Sequence, residues 1–230
     1  MAKYFYNDDM DTIQSIRLFH ALSEAGVELS ITEDNKAKLE YLNSYFTIPY
    51  SIKSEEKDLP NLKIFHEELP GCSFFDKKLS LVYPKEVFYY LKNRRPAKRY
   101  NKLFFQGTIT EKRKKEIEKI EKTSFLKVKS FSSDSGIVFP IKCWDSSYYS
   151  TMAKFKFVFC PDGDFIWTYR FFEAIMCGCI PVIQNTCPLY EGFKYFTEND
   201  LHNLSYDEEI VKHNDLLFLK KYTLSYYEKN

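Results

Sequence analysis

Residues 156–183 constrain the fold of this chain more than any other segment. The apolar run at residues 157–159 has the length and composition of a buried strand in a parallel sheet. A polar loop follows it, and apolar residues then recur at helical spacing over residues 166–177. Gly178 is placed to end that helix, and a second apolar run follows at residues 179–183. Strand, loop, helix and strand in this order predict one βαβ unit of a parallel sheet.

Two charged residues on the predicted helix indicate what this unit binds. Ligands of open parallel sheets bind beyond the carboxyl ends of the strands, where the loop at 160–164 and the first helical turns are expected. Arg170 and Glu173 are three residues apart and therefore share one helix face. An arginine beside a helix N-terminus can bind phosphate oxygens, and a carboxylate can accept hydrogen bonds from ribose hydroxyls. The pair predicts a nucleoside diphosphate site; the alternative is an Arg–Glu pair that only stabilises the helix.

The same segment resembles the nucleotide-sugar motif of exostosin-type glycosyltransferases. In that family an apolar strand ends in Cys-Pro-x-Gly, a helix carries Ser/Thr-x-Arg-x-x-Glu-Ala, and the next strand reads Gly-Cys-Ile-Pro-Val-Ile. The matching positions here are Cys160, Pro161, Gly163, Thr168, Arg170, Glu173, Ala174 and residues 178–183. A looser similarity extends to fucosyltransferases. The resemblance covers roughly thirty residues well and the C-terminal half weakly.

Both families have the GT-B fold, and the resemblance therefore implies an α/β protein with two Rossmann-like halves whose parallel sheets face a central cleft. The expected division is a reduced acceptor-side domain at residues 1–96 and a donor-binding domain at residues 97–230, whose final helix packs back on the first. The pattern of residues 3–32 agrees with this fold class, since a strand, a helix ended by Gly26 and a second strand are predicted there.

Further elements are predicted along the chain. Helices are expected at residues 34–45, 84–93, 111–122 and 145–154 and after Ser205, and strands at residues 46–52, 62–65, 103–105, 125–128 and 193–196. The basic run from Arg94 to Arg99 is interpreted as the linker between the halves. Such a run is ordinarily a solvated surface, and peripheral contact with acidic membrane headgroups or an anionic glycan is the alternative.

The resemblance also implies which residues hold the donor, a UDP-sugar or a GDP-sugar. In GT-B proteins the turn after the first strand of the second domain faces the donor phosphates, and Gln106, Gly107 and Thr108 occupy that place by their order in the chain. Arg113 could add a charge there, although a solvated arginine on a basic helix is the alternative. The predicted donor-binding residues are Gln106, Gly107, Thr108, Trp144, Gly163, Thr168, Arg170 and Glu173.

Aromatic residues before the motif strand are candidates for the wall around the nucleobase. Trp144, Tyr148 and Tyr149 are the residues concerned, because aromatic faces stack on bases in a sequence-tolerant way. Packing in the protein core is the alternative for all three.

Sugar transfer further requires a general base for the acceptor hydroxyl and stabilisation of the leaving diphosphate. Arg170 is predicted to stabilise the diphosphate. In GT-B enzymes the loop after the first N-terminal strand often carries the base, which selects Asp8 or Asp9 here, because Asp11 is the expected helix cap. The reaction is expected to be inverting, to need no metal or other cofactor, and to serve cell-surface polysaccharide or glycoconjugate synthesis.

Two alternatives stay open at this point. Asp162 and Asp164 form an Asp-x-Asp pattern, which in GT-A glycosyltransferases binds Mn²⁺ or Mg²⁺ beside the diphosphate. The continuation into the Gly-Cys-Ile-Pro-Val-Ile strand is instead typical of GT-B. The second alternative is a non-catalytic nucleotide-binding module, because 230 residues is short for a GT-B enzyme.

Composition excludes other classes of protein. The 33 Lys and Arg residues nearly balance the 32 Asp and Glu residues, which argues against nucleic-acid binding. No signal peptide or apolar run approaching a membrane span is evident, and a soluble, cytoplasmic protein is expected. Among the six cysteines, Cys177, Cys179 and Cys187 could be proposed as metal ligands, but small buried thiols are the favoured interpretation.

Overall fold

The computed structural model describes residues 3–5, 13–31, 33–52, 63–65, 71–74, 77–108, 111–121, 126–131, 144–163 and 166–224. The chain divides into two compact units. The first comprises Met1–Tyr89, Ser135–Asp145 and Leu219–Asn230, and the second comprises Tyr90–Asp134 and Ser146–Phe218.

The described residues form the following elements. The strands are β1 (Lys3–Phe5), β2 (Glu28–Ile31), β3 (Ser51–Ile52), β4 (Lys63–Phe65), β5 (Gly71–Phe74), β6 (Lys77–Ser80), β7 (Tyr100–Thr108), β8 (Leu126–Phe131), β9 (Phe155–Cys160), β10 (Ile180–Ile183) and β11 (Phe196–Thr197). The α-helices are α1 (Ile13–Glu24), α2 (Lys36–Asn43), α3 (Lys85–Lys92), α4 (Glu111–Glu121), α5 (Ser146–Met152), α6 (Tyr169–Met176) and α7 (Glu208–Tyr222).

The first unit contains a three-stranded parallel sheet in the order β1-β2-β3 and a three-stranded antiparallel sheet in the order β4-β5-β6. The helix α1 connects β1 to β2 and buries Phe19 and Leu22 completely. Gly26 follows α1 with a φ of 82°, a left-handed conformation that favours glycine. The predicted strand, helix and strand of residues 3–32 are confirmed.

The strand predicted at residues 46–52 is wrong for most of its length, because only Ser51–Ile52 is paired. The side chain of Asn43 makes the hydrogen bonds that a neighbouring strand would otherwise make with Ile48. Its Oδ1 accepts from the backbone N of Ile48 at 2.8 Å, and its Nδ2 donates to the carbonyl of Ile48 at 3.2 Å. Pro49 has no N–H to contribute to a sheet. Phe46 and Ile48 are buried in irregular chain rather than in a strand.

The second unit is built on a five-stranded parallel sheet in the order β11-β10-β9-β7-β8. Numbered within this unit the order is 5-4-3-1-2, the doubly wound arrangement of flavodoxin-like proteins. The strand β10 is buried throughout, and its neighbour β9 is buried except at Lys156. Ile117 and Ile120 of α4 pack into the same core, as predicted. The α/β class with parallel sheets is therefore confirmed, whereas the two-half GT-B arrangement stays a prediction.

The motif helix begins at Tyr169, three residues later than residue 166, where the apolar pattern starts. Thr168 is extended, with φ −143° and ψ 143°, and its hydroxyl oxygen accepts a hydrogen bond from the backbone N of Arg170 at 3.4 Å. A threonine in this geometry is an N-cap and fixes where the helix starts. Gly178 lies after the helix with a φ of 73°, which confirms it as the residue that ends the helix.

The basic run at residues 94–99 is not simply a solvated segment. Arg95 donates hydrogen bonds to the carbonyls of Ile175 and Met176 at the end of α6. Arg99 donates to the carbonyls of Cys177 and Gly178. Interpretation as a solvated surface is wrong for these two arginines, because the last carbonyls of a helix need donors and attract cations.

The proposed membrane contact of this run stays a prediction. Arg94 and Lys98 are the exposed cations within it. None of the helices formed by the described residues is long and apolar enough to cross a bilayer.

The buried face of α7 includes polar side chains. Asn214 and Asp215 are buried, whereas the apolar Leu216 is 71% exposed. Asn214 is accommodated because its Oδ1 accepts from the backbone N of Lys194 and its Nδ2 donates to the Lys194 carbonyl, both at 2.8 Å. Apolar spacing alone does not identify this face, because it includes buried polar groups that have specific partners.

Candidate functional site

The parallel sheet of the second unit has a switch point between β7 and β9. The connections that follow these two strands lead in opposite directions along the sheet, to β8 and to β10. Pairing between β7 and β9 reaches Phe104 and Val158, although β7 continues to Thr108 and β9 to Cys160. The carboxyl ends of strands at such a point form the usual ligand-binding crevice of a doubly wound sheet.

Arg170 reaches from the first turn of α6 to the carboxyl end of β7. Its Nη2 donates to the backbone carbonyl of Gln106 at 2.9 Å, and its guanidinium carbon lies 4.6 Å from the ring centroid of Phe105. Neither Nε nor Nη1 of Arg170 has a hydrogen-bond partner among the described residues, and both are shielded from solvent. The side-chain amide of Gln106 likewise has no hydrogen-bond partner among the described residues, at either Nε2 or Oε1, and Gln106 is 1% exposed.

Glu173 has its own partner. One carboxylate oxygen, Oε2, accepts a hydrogen bond from the hydroxyl of Tyr148 on α5 at 2.8 Å, and Glu173 is 6% exposed. Burial, together with the negative charge of Glu173, raises the pKa of Tyr148 well above its ordinary value, so the hydroxyl stays protonated and donates. A helix-stabilising Arg170–Glu173 pair accounts for neither the contact to Gln106 nor the contact to Tyr148.

Two glycines make room for two arginines. A Cβ on Gly107 would collide with Nη2 of Arg170, and a Cβ on Gly163 would lie 3.2 Å from Nη2 of Arg113. A larger residue at position 107 would displace the guanidinium of Arg170 from where it lies, and one at position 163 would crowd that of Arg113. This close approach is a physical reason for both glycines that spacing alone did not provide.

The loop after β9 is held by residues from two neighbouring elements. Asp162 is 7% exposed, and its Oδ2 accepts from Nδ2 of Asn185 at 2.7 Å. Its backbone N donates to Oε1 of Gln184 at 3.4 Å, and its carbonyl accepts from Nε of Arg113 at 3.1 Å. Gln184 and Asn185 directly follow β10, and their position at the next strand end is a signal that could have placed them at the site.

The start of α6 is fixed by Tyr190. Its hydroxyl accepts a hydrogen bond from the backbone N of Thr168 at 2.9 Å, and its ring stacks on Phe171 at 3.8 Å between centroids. The backbone N–H of Thr168 thus donates to Tyr190, while its side-chain oxygen caps the helix by accepting from Arg170. A phosphate contact from the Thr168 hydroxyl proton stays a prediction.

The structure brings several of the predicted site residues together within the second unit. Gln106 and Gly107 lie at the end of β7, Gly163 lies in the loop after β9, and Thr168, Arg170 and Glu173 lie at or near the start of α6. Thr108 is the last residue of β7. Sequence reasoning missed the structural roles of Tyr148, Arg113, Gln184, Asn185 and Tyr190.

Trp144 belongs to the first unit and packs in an aromatic cluster there. Its ring meets that of Phe46 edge-on at 4.9 Å and lies 6.4 Å from that of Tyr45, while its carbonyl accepts from the Tyr41 hydroxyl at 2.8 Å. These contacts favour core packing, the alternative considered for Trp144, and stacking on a nucleobase stays a prediction. Tyr149, the third aromatic candidate, is 3% exposed.

Other predicted residues lie outside the described part of the chain. Asp8 and Asp9, the candidate bases, are among them, as is Asp164 of the alternative metal site. Within the part that the structure describes, no group of three or more His, Cys, Asp or Glu residues is placed to hold a metal ion.

Cys160, Cys177 and Cys179 are buried free thiols. Burial raises the pKa of Cys179 to about 11 and raises the pKa of Cys177 well above its ordinary value. The burial of Cys177 and Cys179 agrees with their interpretation as small buried side chains, whereas Cys187, the third candidate, is half-buried.

An open parallel sheet with its switch point between β7 and β9 defines an α/β protein of the doubly wound class, whose ligands usually bind at the carboxyl ends of the strands. A model of the Exostosin GT47 domain matches residues 49–202, more than half of the chain. The protein thus belongs to the exostosin GT47 family and is a glycosyltransferase. The resemblance of residues 156–183 to exostosin-type enzymes is confirmed. No curated protein shows a significant match to the chain.

Proposed function

We propose that the protein transfers a sugar from a nucleoside diphosphate donor, a UDP-sugar or a GDP-sugar, to a hydroxyl of a glycan acceptor. Membership of the exostosin GT47 family supports glycosyl transfer as the reaction. The observation that supports a diphosphate donor is Arg170, with two guanidinium nitrogens that have no partner among the described residues at the switch point of the sheet.

The energetics of Arg170 favour an anionic ligand. A buried polar group without a partner costs about 1–3 kcal/mol, and a charged one costs more. A phosphate can accept from Nε and one Nη in the planar fork of arginine, and the N-terminus of α6 adds positive potential beside it. Both nitrogens are shielded from solvent, so donor binding must be accompanied by adjustment of the side chains around them.

Glu173 is proposed to bind the ribose of the donor. Tyr148 donates a hydrogen bond to its Oε2, and a carboxylate can accept several hydrogen bonds at once. The hydrogen bond from Tyr148 orients the carboxylate before the donor arrives, and the ribose hydroxyls then donate to the same carboxylate.

The transfer itself follows from these positions and from the predicted base. The bond between the anomeric carbon and the diphosphate oxygen breaks, and the electron pair leaves with the diphosphate that Arg170 stabilises. The acceptor oxygen attacks the anomeric carbon from the opposite face with inversion, while Asp8 or Asp9 takes the hydroxyl proton. We propose a metal-independent reaction in a GT-B arrangement, acting in the cytoplasm in polysaccharide or glycoconjugate synthesis.

Isothermal titration calorimetry with UDP and GDP, each with and without EDTA, tests the donor assignment. One nucleotide is expected to bind, and EDTA is expected to leave its affinity unchanged. If neither nucleotide binds at millimolar concentration, the donor assignment fails. Loss of binding in EDTA would instead support a metal held by Asp162 and Asp164.

The base assignment is tested with Asp8→Asn and Asp9→Asn. The amide cannot take the proton of the acceptor hydroxyl, whereas the donor site lies elsewhere in the sequence. One of the variants is expected to lose sugar transfer and to bind UDP or GDP as the unaltered protein does. Wild-type transfer rates in both variants would exclude this loop as the source of the base.

A further inference from the structure

The basic run at residues 94–99 divides its cations between the protein and the solvent. Arg95 and Arg99 both reach the end of α6, where a Cβ on Gly178 would lie 2.7 Å from Nε of Arg95 and 2.8 Å from Nη2 of Arg99. Arg94 and Lys98 are exposed. Because two side chains of the run converge on one glycine, the backbone between them is held against the end of α6, and the two other cations are displayed from a fixed segment.

The exposed charge continues from this run onto the amino ends of β7 and β9. Tyr100, the first residue of β7, donates from its backbone N to the carbonyl of Lys154 at 2.7 Å, which makes the two residues neighbours. Tyr100 is 57% exposed, and Lys102 and Lys154 are exposed as well. We call Arg94, Lys98, Tyr100, Lys102 and Lys154 the basic face, and all five belong to the second unit.

The positive charge of the basic face is not neutralised by acidic side chains among the described residues. Residues 87–110 include six Lys and Arg residues and no Asp or Glu. Asp215 does contact this segment, but it is buried and is already paired with Arg95 and Lys92. The three lysines of the basic face form no ion pair with another described residue. An anionic partner would therefore meet charges that are free to bind it.

We propose that the basic face binds the anionic headgroups of a lipid surface. Lysine carries a compact charge on a flexible stem, which suits the diffuse charge of a lipid surface, whereas the planar fork of arginine suits fixed acceptors. The two arginines at the end of α6 bind such fixed acceptors, and three of the four cations of the basic face are lysines. The exposed ring of Tyr100 among these lysines fits the same partner, because an amphipathic ring is favoured at the level of the headgroups.

The basic face and the candidate donor site lie at opposite ends of β7. Tyr100 begins this strand, and Gln106 lies six residues further along it, a distance of roughly 20 Å at about 3.3 Å per residue. A protein bound to a lipid surface through the basic face therefore holds the carboxyl ends of its strands away from that surface, where a soluble nucleotide can reach them. The proposal does not depend on which donor the protein uses.

Flotation with lipid vesicles of two compositions tests this proposal. One composition is phosphatidylcholine alone, and the other is phosphatidylcholine mixed with the acidic lipid phosphatidylglycerol. The protein is expected to float only with the acidic vesicles, and added salt should release it because salt screens exposed charges. A variant carrying Lys98→Ala, Lys102→Ala and Lys154→Ala is expected to bind acidic vesicles about a hundredfold more weakly, since each basic residue near an acidic surface strengthens binding about fivefold.

The matched control carries Lys114→Ala, Lys115→Ala and Lys194→Ala, which remove the same charge from other exposed positions of the second unit. This control should bind acidic vesicles as the unaltered protein does, and thermal melts check that both variants fold. Equal loss of binding in the two variants would show that net charge, not the basic face, is responsible. Equal binding to both vesicle compositions, or binding to neither, would also overturn the proposal.

The competing partner is an anionic polysaccharide, for which soluble hyaluronate is the probe. Hyaluronate is expected to bind more weakly than acidic vesicles. If it binds more tightly, and only the variant of the basic face loses this binding, the face recognises a glycan and the lipid proposal fails.

Discussion

Replacing Arg170 by alanine is expected to lower kcat by about 10²–10³-fold, with a smaller rise in the donor KM. The guanidinium interacts most strongly with the diphosphate as the glycosidic bond breaks and negative charge builds on the leaving group. An interaction that strengthens in the transition state appears in kcat rather than in KM. Steady-state kinetics with the donor concentration varied, beside a thermal melt of each variant, measure this effect.

Two further variants separate charge from geometry. Arg170→Lys should recover only part of the rate, because lysine keeps the charge but loses the planar fork. Glu173→Gln should mainly raise the donor KM, because a ribose contact is made equally in the ground state and the transition state.

The assignment of Arg170 and Glu173 can be overturned directly. Unchanged kcat and KM in Arg170→Ala and Glu173→Gln, together with lower melting temperatures, would show that both residues serve only the fold. A double variant no less stable than either single variant, with activity intact in all three, would lead to the same conclusion.

The sequence predicted the local structure at the centre of this candidate site because the relevant information there is local. The βαβ unit follows from apolar periodicity, and the three-residue spacing of Arg170 and Glu173 places both on one helix face. A cap at Thr168 and a left-handed glycine at residue 178 then set the two ends of the helix. Each of these features depends on residues only a few positions apart.

The contacts that the sequence did not reveal connect distant positions. Arg113 meets Asp162 only because β9 lies beside β7 in the sheet, and the order of strands is not encoded in any short pattern. Tyr148 and Glu173 are also distant in sequence: they lie on α5 and α6, which are separated in the chain by the strand β9, and they meet only in the folded protein. Periodicity predicts which residues face inward but not which polar side chains meet there.

Arg95 and Asp215 are the clearest example of such a distant pair, 120 residues apart. Nη1 of Arg95 donates to Oδ2 of Asp215 at 2.8 Å, and Nη2 donates to Oδ1 at 2.7 Å. The side chains are 11% and 5% exposed. Arg95 also donates to the carbonyls of Ile175 and Met176, so the pair joins α7 to the end of the helix that carries Arg170.

Asp215→Ala is therefore expected to lower the free energy of unfolding by about 3–5 kcal/mol, the range found when one partner of a buried ion pair is removed. The loss arises because the guanidinium of Arg95 would remain buried without its carboxylate. Urea unfolding followed by circular dichroism measures the change. Removal of the exposed Lys212–Glu209 pair on the same helix, by Lys212→Ala, is the control and should leave the unfolding midpoint unchanged, because solvent screens that pair.

Replacing both partners tests the physical origin of this loss. Arg95→Met with Asp215→Leu removes both buried charges, and such replacements are often neutral or stabilising. Here recovery should be incomplete, because the carbonyls of Ile175 and Met176 lose the donors that Arg95 provides. A loss below about 1 kcal/mol in Asp215→Ala, the size typical of an exposed pair, would show that water reaches the guanidinium once the carboxylate is removed. The pair would then not be what fixes the end of α6.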